Sequence, residues 1–200
     1  IPNDVHEAYF DAVAQLRVYA GPTNLRIVYS AMHGVGRPSI ERVLRTHGYD
    51  DLHLVPEQAE PDPDFSTVAF PNPEEPGAMD LSMALAHSVN ADLVIANDPD
   101  ADRLCVAVAH EGDFQMLSGN DVGVLLADEL LRYGDFGSDP LVVTTIVSTS
   151  MLDKIALAYG ASCQETLTGF KWLAHAALKH EAGGGRFVVG FEEALGYSVG

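Results

Sequence analysis

The chain has 200 residues, of which 47% are hydrophobic and 20% charged, and this suits a folded protein of one large or two small domains. Its net charge of -18 argues against nucleic acid as a partner, and no apolar stretch reaches the length of a membrane span. A small phosphorylated ligand stays compatible with this charge, because it needs only a local cluster of cations.

The first half of the chain alternates predicted helices and strands. Apolar residues at helical spacing predict a helix over residues 4–19, which ends at Gly21-Pro22. Further along, helices are predicted at 38–47 and 80–89, and strands at 25–29, 53–55, 93–96 and 104–109. The segment 56–76 is rich in Pro, Asp and Glu, and such a long connection is either functional or an exposed spacer.

Three aspartates at alternate positions follow the apolar strand at 93–96: Asp98, Asp100 and Asp102. Arg103 comes next in the chain. Mg²⁺ prefers oxygen ligands and commonly combines carboxylates with the phosphate oxygens of a substrate. We therefore expect residues 98–103, here called the aspartate loop, to wrap around one Mg²⁺, with Arg103 facing a phosphate.

The residues of the aspartate loop also decide how well other kinds of site fit it. Pro99 lacks a backbone N–H, which favours a loop over a continued strand. An EF-hand fits poorly, because its sixth and twelfth positions, Gly and Glu in that motif, would be Arg103 and Ala109. A phosphatase with Asp98 as nucleophile fits better and stays open as the alternative, although it needs neither the third aspartate nor Arg103.

The second half of the chain repeats the alternation. Helices are predicted at 120–133, 149–159 and 170–180, and strands at 141–147, 162–166 and 186–189. In each half a strand feeds a turn and a helix, and a later apolar strand ends in carboxylates. We therefore expect two similar α/β domains at 1–116 and 117–200, each a mixed, largely parallel sheet flanked by helices.

Two further places in the second half combine charge with a strand end. Glu192 and Glu193 follow the strand at 186–189, where open α/β sheets bind ligands, and carboxylates accept hydrogen bonds from sugar hydroxyls. Residues 192–196 are called the glutamate turn below. Gly169 and Lys171 stand at the start of a predicted helix, whose free N–H groups suit a phosphate.

The remaining candidates are a histidine and two cysteines. His33 lies in a turn at 32–36 and either faces a phosphate or completes the turn. Cys105 and Cys163 have apolar neighbours, so we expect two buried thiols in a reducing compartment, the cytoplasm.

In their order along the chain, these motifs resemble those of the α-D-phosphohexomutases, the phosphoglucomutase and phosphomannomutase superfamily. The turn at 32–36 resembles the turn of the second domain, and the aspartate loop resembles the metal loop. The Thr-Gly-Phe-Lys sequence at 168–171 and the glutamate turn resemble two loops of the third domain. The resemblance implies the second domain at 1–116 and a C-terminally truncated third domain at 117–200. Since Ile1 is no initiator, we expect a piece of a longer chain whose first and fourth domains are missing.

The resemblance also implies an activity. Such an enzyme is a Mg²⁺-dependent mutase that interconverts glucose or mannose 1-phosphate and 6-phosphate through a phosphoserine and a bisphosphate, with a glucose 1,6-bisphosphate-type activator. Asp98, Asp100 and Asp102 would hold Mg²⁺ and Arg103 would neutralise phosphate oxygens. The residues expected to contact the phosphosugar are Glu192, Glu193, Gly169, Lys171 and His33. Without the phosphoserine, the 200 residues alone should be inactive.

Two positions depart from the family pattern. Ala194 stands where many members have a serine that contacts sugar hydroxyls, and a branch acting on phosphopentoses also reads Phe-Glu-Glu-Ala. Phe170 stands where some members have histidine, so no role of that histidine can be assigned. The alternatives are therefore a phosphopentomutase-type member, a metal-dependent phosphosugar phosphatase, and a metal- and sugar-binding module without activity.

Overall fold

The computed structural model describes residues 2–200, so that Ile1 lies outside the described residues. Within them the chain forms six α-helices and nine strands, arranged in two mixed sheets. This confirms the predicted α/β fold class, with two mixed, largely parallel sheets and flanking helices. The helices are α1 Asn3–Gln15, α2 Arg37–Thr46, α3 Asp80–Val89, α4 Gly119–Tyr133, α5 Met151–Tyr159 and α6 Phe170–Ala182. The strands are β1 Ile27–Ser30, β2 Leu52–Leu54, β3 Leu93–Asn97, β4 Leu104–His110, β5 Asp113–Leu117, β6 Pro140–Thr145, β7 Ser162–Thr166, β8 Arg186–Glu192 and β9 Gly196–Val199.

The chain divides into two compact units, one of residues 21–117 and the other of residues 118–200 together with the N-terminal residues up to 20. The N-terminal helix α1 therefore groups with the second unit, although it precedes the first unit in the sequence. The assignment of domains to 1–116 and 117–200 stays a prediction.

The first unit contains a five-stranded sheet with the order β2-β1-β3-β4-β5. Strands β2 and β3 both run parallel to β1, which lies between them, and β4 and β5 are added antiparallel to their neighbours. All four residues of β1 are buried, and α3 packs against β1 and β3. Parallel strands covered on both faces read as continuous apolar runs, which is why this strand was recognisable in the sequence.

The second unit contains a four-stranded sheet with the order β7-β6-β8-β9, in which only β9 is antiparallel to its neighbour. Its two faces are covered by different helices. Val142 packs in a core cluster with residues of α4 and α5, whereas Leu141 and Val143 pack with residues of α6. This alternation along β6 follows from the period of two in a strand, which sends successive side chains to opposite faces.

The two sheets share the topology that the sequence echo predicted. In each, the first strand, β1 or β6, is followed by a helix and a parallel strand at the sheet edge, then by a second helix and an inner parallel strand. The inner strand, β3 or β8, is paired antiparallel with the next strand along the chain, β4 or β9. The aspartate loop joins β3 to β4, and residues 193–195 of the glutamate turn join β8 to β9. Both candidate loops therefore occupy the same topological position in their own sheet.

Several predicted boundaries differ from the structure. The first helix ends at Gln15 rather than at residue 19, and β5 and β9 were not predicted. Strand β5 follows a two-residue hairpin turn in which Glu111 and Gly112 both have positive φ, of 50° and 86°. Turns of that kind match the twist of paired strands, so the Glu-Gly pair was a hairpin signal and not only a turn.

The cysteines are free thiols, as expected, but only Cys105 is buried, whereas Cys163 is half-buried. Burial raises the pKa of the Cys105 thiol to about 11. Among residues 2–200, no helix is long and apolar enough to cross a membrane.

Candidate functional site

The aspartate loop begins where β3 ends. Asp98 is 1% exposed, and both of its carboxylate oxygens accept hydrogen bonds from Arg103. The Arg103 backbone N–H donates to Oδ1 over 3.0 Å, and the Arg103 Nε donates to Oδ2 over 2.7 Å. The Ala101 N–H donates to the Asp98 carbonyl, and Ala101 has a φ of 60°. These bonds fold residues 98–103 into a closed loop around the buried carboxylate.

The three aspartates converge as the sequence predicted. One carboxylate oxygen from each of Asp98, Asp100 and Asp102 lies within 4.8 Å of the others, with Asp98 buried and the other two exposed. Three carboxylates at this spacing form an all-oxygen donor set, which suits a hard divalent cation such as Mg²⁺. Each carboxylate has about four lone-pair positions, so Asp98 can bind a cation while it accepts from Arg103.

The electrostatics of the loop also fit a cation. The pKa of the Asp102 carboxyl is raised, first by partial burial and then by the negative charges of Asp98 and Asp100. Arg103 lies 3.8 Å from Asp102 through its Nε and offsets part of this repulsion. About a third of the Arg103 side chain is exposed, so the guanidinium spans from the buried Asp98 to the surface.

The turn at 32–36 packs its backbone against the aspartate loop. The Val35 N–H donates to the Pro99 carbonyl over 2.9 Å. A Cβ added to Gly34 would lie 2.2 Å from that carbonyl oxygen, so only glycine permits this approach of the two backbones.

His33 itself is 4% exposed and lies in a buried polar network. Its Nε2 is 2.7 Å from the Thr67 hydroxyl, and its Nδ1 is 3.9 Å from an Asp62 carboxylate oxygen. The His33 N–H donates to the Gln58 carbonyl, and the His33 carbonyl accepts from the Asp62 N–H. Of the two roles left open by the sequence, this geometry favours the structural one, in which His33 ties the segment 58–67 to the turn.

The glutamate turn sits between β8 and β9, where Glu192 pairs with Gly196. Glu192 is 8% exposed, and its Oε1 accepts a hydrogen bond of 2.5 Å from the Gly169 N–H. Gly169 precedes α6 with a φ of 121°, a conformation that favours glycine, and so presents its N–H to the carboxylate. The structure therefore brings two predicted substrate residues, Glu192 and Gly169, into direct contact.

Glu193 points to a different element. Its Oε2 accepts hydrogen bonds from the Ser148 hydroxyl over 2.6 Å and from the Thr145 hydroxyl over 3.2 Å. The Ser148 hydroxyl lowers the pKa of the Glu193 carboxyl, with a smaller contribution from Thr145. The Ser148 hydroxyl therefore serves Glu193. The signal available in the sequence for this contact was the group of hydroxyl residues at the end of β6, in the same half of the chain as the two adjacent glutamates.

Lys171 lies in the first turn of α6 and is exposed, with its Nζ 5.5 Å from the centre of the Trp172 ring. The positive charge of Lys171 therefore belongs to the first turn of the helix, two residues after Gly169 in the sequence. This placement is compatible with the predicted contact to a phosphate.

The comparisons with known proteins agree with these motifs. Residues 7–112 match the profile described as phosphoglucomutase/phosphomannomutase, alpha/beta/alpha domain II, and residues 118–200 match domain III of the same family. The chain belongs to the phosphoglucomutase/phosphomannomutase family. This confirms the resemblance drawn from the sequence motifs.

Relatives within the family carry different sugar names. The chain is 40% identical over 209 residues to the phosphoribomutase of Saccharomyces cerevisiae, covering 94% of this chain and 33% of that protein. It is 34% identical over 198 residues to the phosphoglucomutase of Staphylococcus epidermidis, covering 98% of this chain and 36% of that protein. The chain thus spans about a third of the length of these curated relatives.

A solved structure of the family shares the fold. The phosphoglucomutase/phosphomannomutase family protein from Burkholderia thailandensis superposes with a TM-score of 0.69 at 21% identity, covering 94% of this chain and 39% of that chain. At this identity the likeness concerns the fold alone.

Proposed function

We propose that the chain supplies the metal-binding and sugar-binding parts of a Mg²⁺-dependent phosphosugar mutase, which interconverts glucose or mannose 1-phosphate and 6-phosphate through a phosphoserine and a bisphosphate. The observation that carries the proposal is the convergence of Asp98, Asp100 and Asp102 within 4.8 Å, in a chain of the phosphoglucomutase/phosphomannomutase family. The phosphoserine, the domains around this segment, a glucose 1,6-bisphosphate-type activator and a cytoplasmic location are parts of the same proposal.

In this proposal the aspartate loop serves the phosphoryl group. Asp98, Asp100 and Asp102 hold Mg²⁺, which when bound supplies Lewis-acid neutralisation of phosphoryl charge. Arg103 contacts phosphate oxygens while its Nε keeps Asp98 oriented. Phosphoryl transfer depends mainly on positioning and charge neutralisation, so a rigid loop of this kind has a direct catalytic use.

The second unit would serve the sugar. The Glu192 carboxylate accepts the Gly169 N–H with one oxygen and leaves lone pairs for sugar hydroxyls. Lys171 contributes a cation on the phosphate side of the sugar. The sequence predicted His33 as a phosphate contact. Because its ring is buried against Thr67, its role in this proposal is instead to hold the turn that contacts the aspartate loop.

A pentose phosphate is the second candidate substrate. Ala194 is exposed in the glutamate turn and offers no hydroxyl at the position where a serine would contact a sugar. The 40% identity to a protein named phosphoribomutase supports the same candidate. Both candidates use the same relay of phosphoryl groups and differ only in the sugar that is held.

The activity is tested in the natural polypeptide that contains these residues. With Mg²⁺ and a trace of glucose 1,6-bisphosphate, we expect conversion of glucose, mannose or ribose 1-phosphate to its isomer, and we expect Asp100→Asn to abolish it. Asp64→Asn, a change at an exposed aspartate outside the loop, is the matched control. If the wild-type protein converts none of the three sugar phosphates, the mutase proposal is wrong.

The phosphatase alternative is tested with the 200 residues alone. We expect them to release no inorganic phosphate from glucose 1-phosphate and to form no isomer, because the phosphoserine is absent. Phosphate release that is lost in Asp98→Asn would instead support the phosphatase.

A further inference from the structure

We propose that Glu193 is a positioning residue that anchors the glutamate turn to the end of β6 and thereby holds Glu192 in place for the sugar. This replaces the sequence prediction that Glu193 shares the sugar with Glu192, and it rests on the proposed function of Glu192 as the sugar acceptor. The two glutamates are neighbours in the sequence but have different partners.

Glu193 lies against two hydroxyls that also lie against each other, and their two protons can serve two of these three contacts. Its Oε2 accepts from Ser148 over 2.6 Å and from Thr145 over 3.2 Å, and the two hydroxyls lie 2.7 Å apart. Thr145 is 1% exposed and ends β6, so it belongs to the rigid core of the sheet. Ser148 lies in the connection from β6 to α5 and is fixed by a bond from its N–H to the Thr145 carbonyl.

Hydrogen bonds to an ionised group are about twice as strong as neutral ones. A glutamate is ionised near neutral pH, and the Ser148 bond lowers the pKa of Glu193 because it favours this ionised form. The geometry and the charge therefore both indicate that the Glu193 carboxylate is bound by the hydroxyls of Ser148 and Thr145.

The backbone of the turn needs such an anchor. Only residues 193–195 connect the paired residues Glu192 and Gly196, and Leu195 adopts a φ of 67° while it is 2% exposed. A leucine with positive φ is strained and persists only where the surroundings hold it. The anchor of Glu193 and the burial of Leu195 hold opposite ends of this short connection.

Anchoring Glu193 fixes the direction of Glu192. With Glu193 bound to the β6–α5 connection, Glu192 faces the start of α6, where it accepts the Gly169 N–H over 2.5 Å. The turn is thus tied to two different strand–helix connections of its own sheet. Residues that support a binding group in this way determine how well it is pre-organised.

The first test compares kinetic constants in the natural polypeptide. Glu193→Leu removes the acceptor and should lower kcat/KM for glucose 1-phosphate by roughly tenfold, the effect of losing one charge-assisted hydrogen bond. Ser148→Ala should lower it similarly, and Glu193→Leu combined with Ser148→Ala should be no worse than Glu193→Leu alone, because both act through one contact. Glu181→Leu, at the exposed far end of α6, is the control and should keep the wild-type value.

A direct sugar contact gives a different pattern. If Glu193→Leu lowers kcat/KM while Ser148→Ala leaves it unchanged, Glu193 touches the sugar and the positioning role is wrong. If both variants keep the wild-type kcat/KM, the anchor has no effect on Glu192 and the proposal is equally wrong.

The second test needs no activity and uses the 200 residues by NMR. The amide proton of Gly169, bonded to Glu192, should resonate far downfield and exchange slowly, and Glu192→Gln should shift it. Glu193→Leu and Ser148→Ala should both move this signal upfield and accelerate its exchange, whereas Glu181→Leu should not. An unchanged Gly169 signal in the first two variants would overturn the proposal even if the mutase activity is confirmed. If the polypeptide has no mutase activity, this measurement still decides whether Glu193 positions Glu192.

Discussion

The hydroxyl of Tyr29 donates a hydrogen bond of 3.1 Å to the side-chain oxygen of Asn97. Tyr29 lies in the buried strand β1, and Asn97 is the last residue of β3 before the aspartate loop. The Asn97 side chain also donates from its Nδ2 to the Arg103 carbonyl over 2.6 Å. This one asparagine therefore connects the start of the loop to its end and to the core of the sheet.

Removing the Tyr29 hydroxyl should destabilise the first unit. Tyr29→Phe leaves the buried Asn97 oxygen without this donor, and we expect the free energy of unfolding to fall by about 1–3 kcal/mol. Urea denaturation followed by circular dichroism measures the change. Tyr9→Phe is the control, because the Tyr9 ring is 58% exposed and its variant should unfold at the wild-type midpoint. Equal midpoints for all three proteins would show that the bond contributes nothing.

Replacing His33 tests its structural role. His33→Ala removes the buried ring and its hydrogen bond to the Thr67 hydroxyl, so the free energy of unfolding should fall by about 1 kcal/mol. Limited proteolysis should then cut the segment 58–67 faster than in the wild type. His110→Ala, at an exposed histidine of β4, should change neither measurement. Wild-type stability in His33→Ala, together with weaker phosphate binding, would return His33 to the role of a phosphate ligand.

The Glu193 anchor should give a pH-dependent stability. Its pKa is lower in the folded chain than in the unfolded chain, so the ionised carboxylate stabilises the fold above its ordinary pKa of about 4.3. This stabilisation is lost as the pH falls through the lower, folded pKa. The difference in unfolding free energy between the wild type and Glu193→Gln should therefore shrink steadily from about pH 6 to about pH 3. A difference that is constant over this range, or that grows towards acid, would contradict the assigned bonds, and Glu181→Gln provides the baseline.

Metal binding should depend on Asp100. Calorimetry on the 200 residues should detect weak Mg²⁺ binding that Asp100→Asn reduces further, because Mg²⁺ sites commonly need substrate phosphate to complete their ligands. In an active polypeptide, the same variant should lower kcat far more than it changes KM, since the cation acts where charge develops in the transition state. Binding that survives Asp100→Asn undiminished would place the cation elsewhere. Asp64→Asn should bind as the wild type does.

The sugar preference should respond to position 194. Ala194→Ser adds a hydroxyl to the exposed residue of the glutamate turn, and one neutral hydrogen bond contributes about 1 kcal/mol, or roughly a fivefold change in rate. We expect the ratio of kcat/KM for glucose 1-phosphate over ribose 1-phosphate to rise by that factor. Ala194→Cys, which is close to serine in size but carries only a weak hydrogen-bond donor, is the control. A ratio that stays constant or falls would remove position 194 from sugar recognition.

The sequence predicted the layers and the aspartate loop because both depend on local signals. Buried strands such as β1 and β6 read as continuous apolar runs, and the three aspartates stand at alternate positions of one short loop, so their proximity is visible in the sequence. The hairpin strand β5 was missed because its exposed, partly polar residues resemble a loop, and only its two-residue turn marked it.

The partners of the predicted ligands were less accessible to sequence reasoning. Ser148 and Glu193 are 45 residues apart, and His33 and Thr67 are 34 residues apart. Such pairs are set by the order of strands in the sheet and by the path of connections, neither of which follows from composition or periodicity. The sequence identified the acidic pair at 192–193, but only the packing distinguishes the two glutamates.

The shared topology of the two sheets places different chemical groups at equivalent positions. In each sheet a hairpin connection leaves the inner strand, six residues long from Asn97 to its partner Leu104 and three residues long from Glu192 to its partner Gly196. The same strand end therefore carries two different connections, a longer one that gathers three carboxylates and a shorter one that directs two adjacent glutamates to different partners.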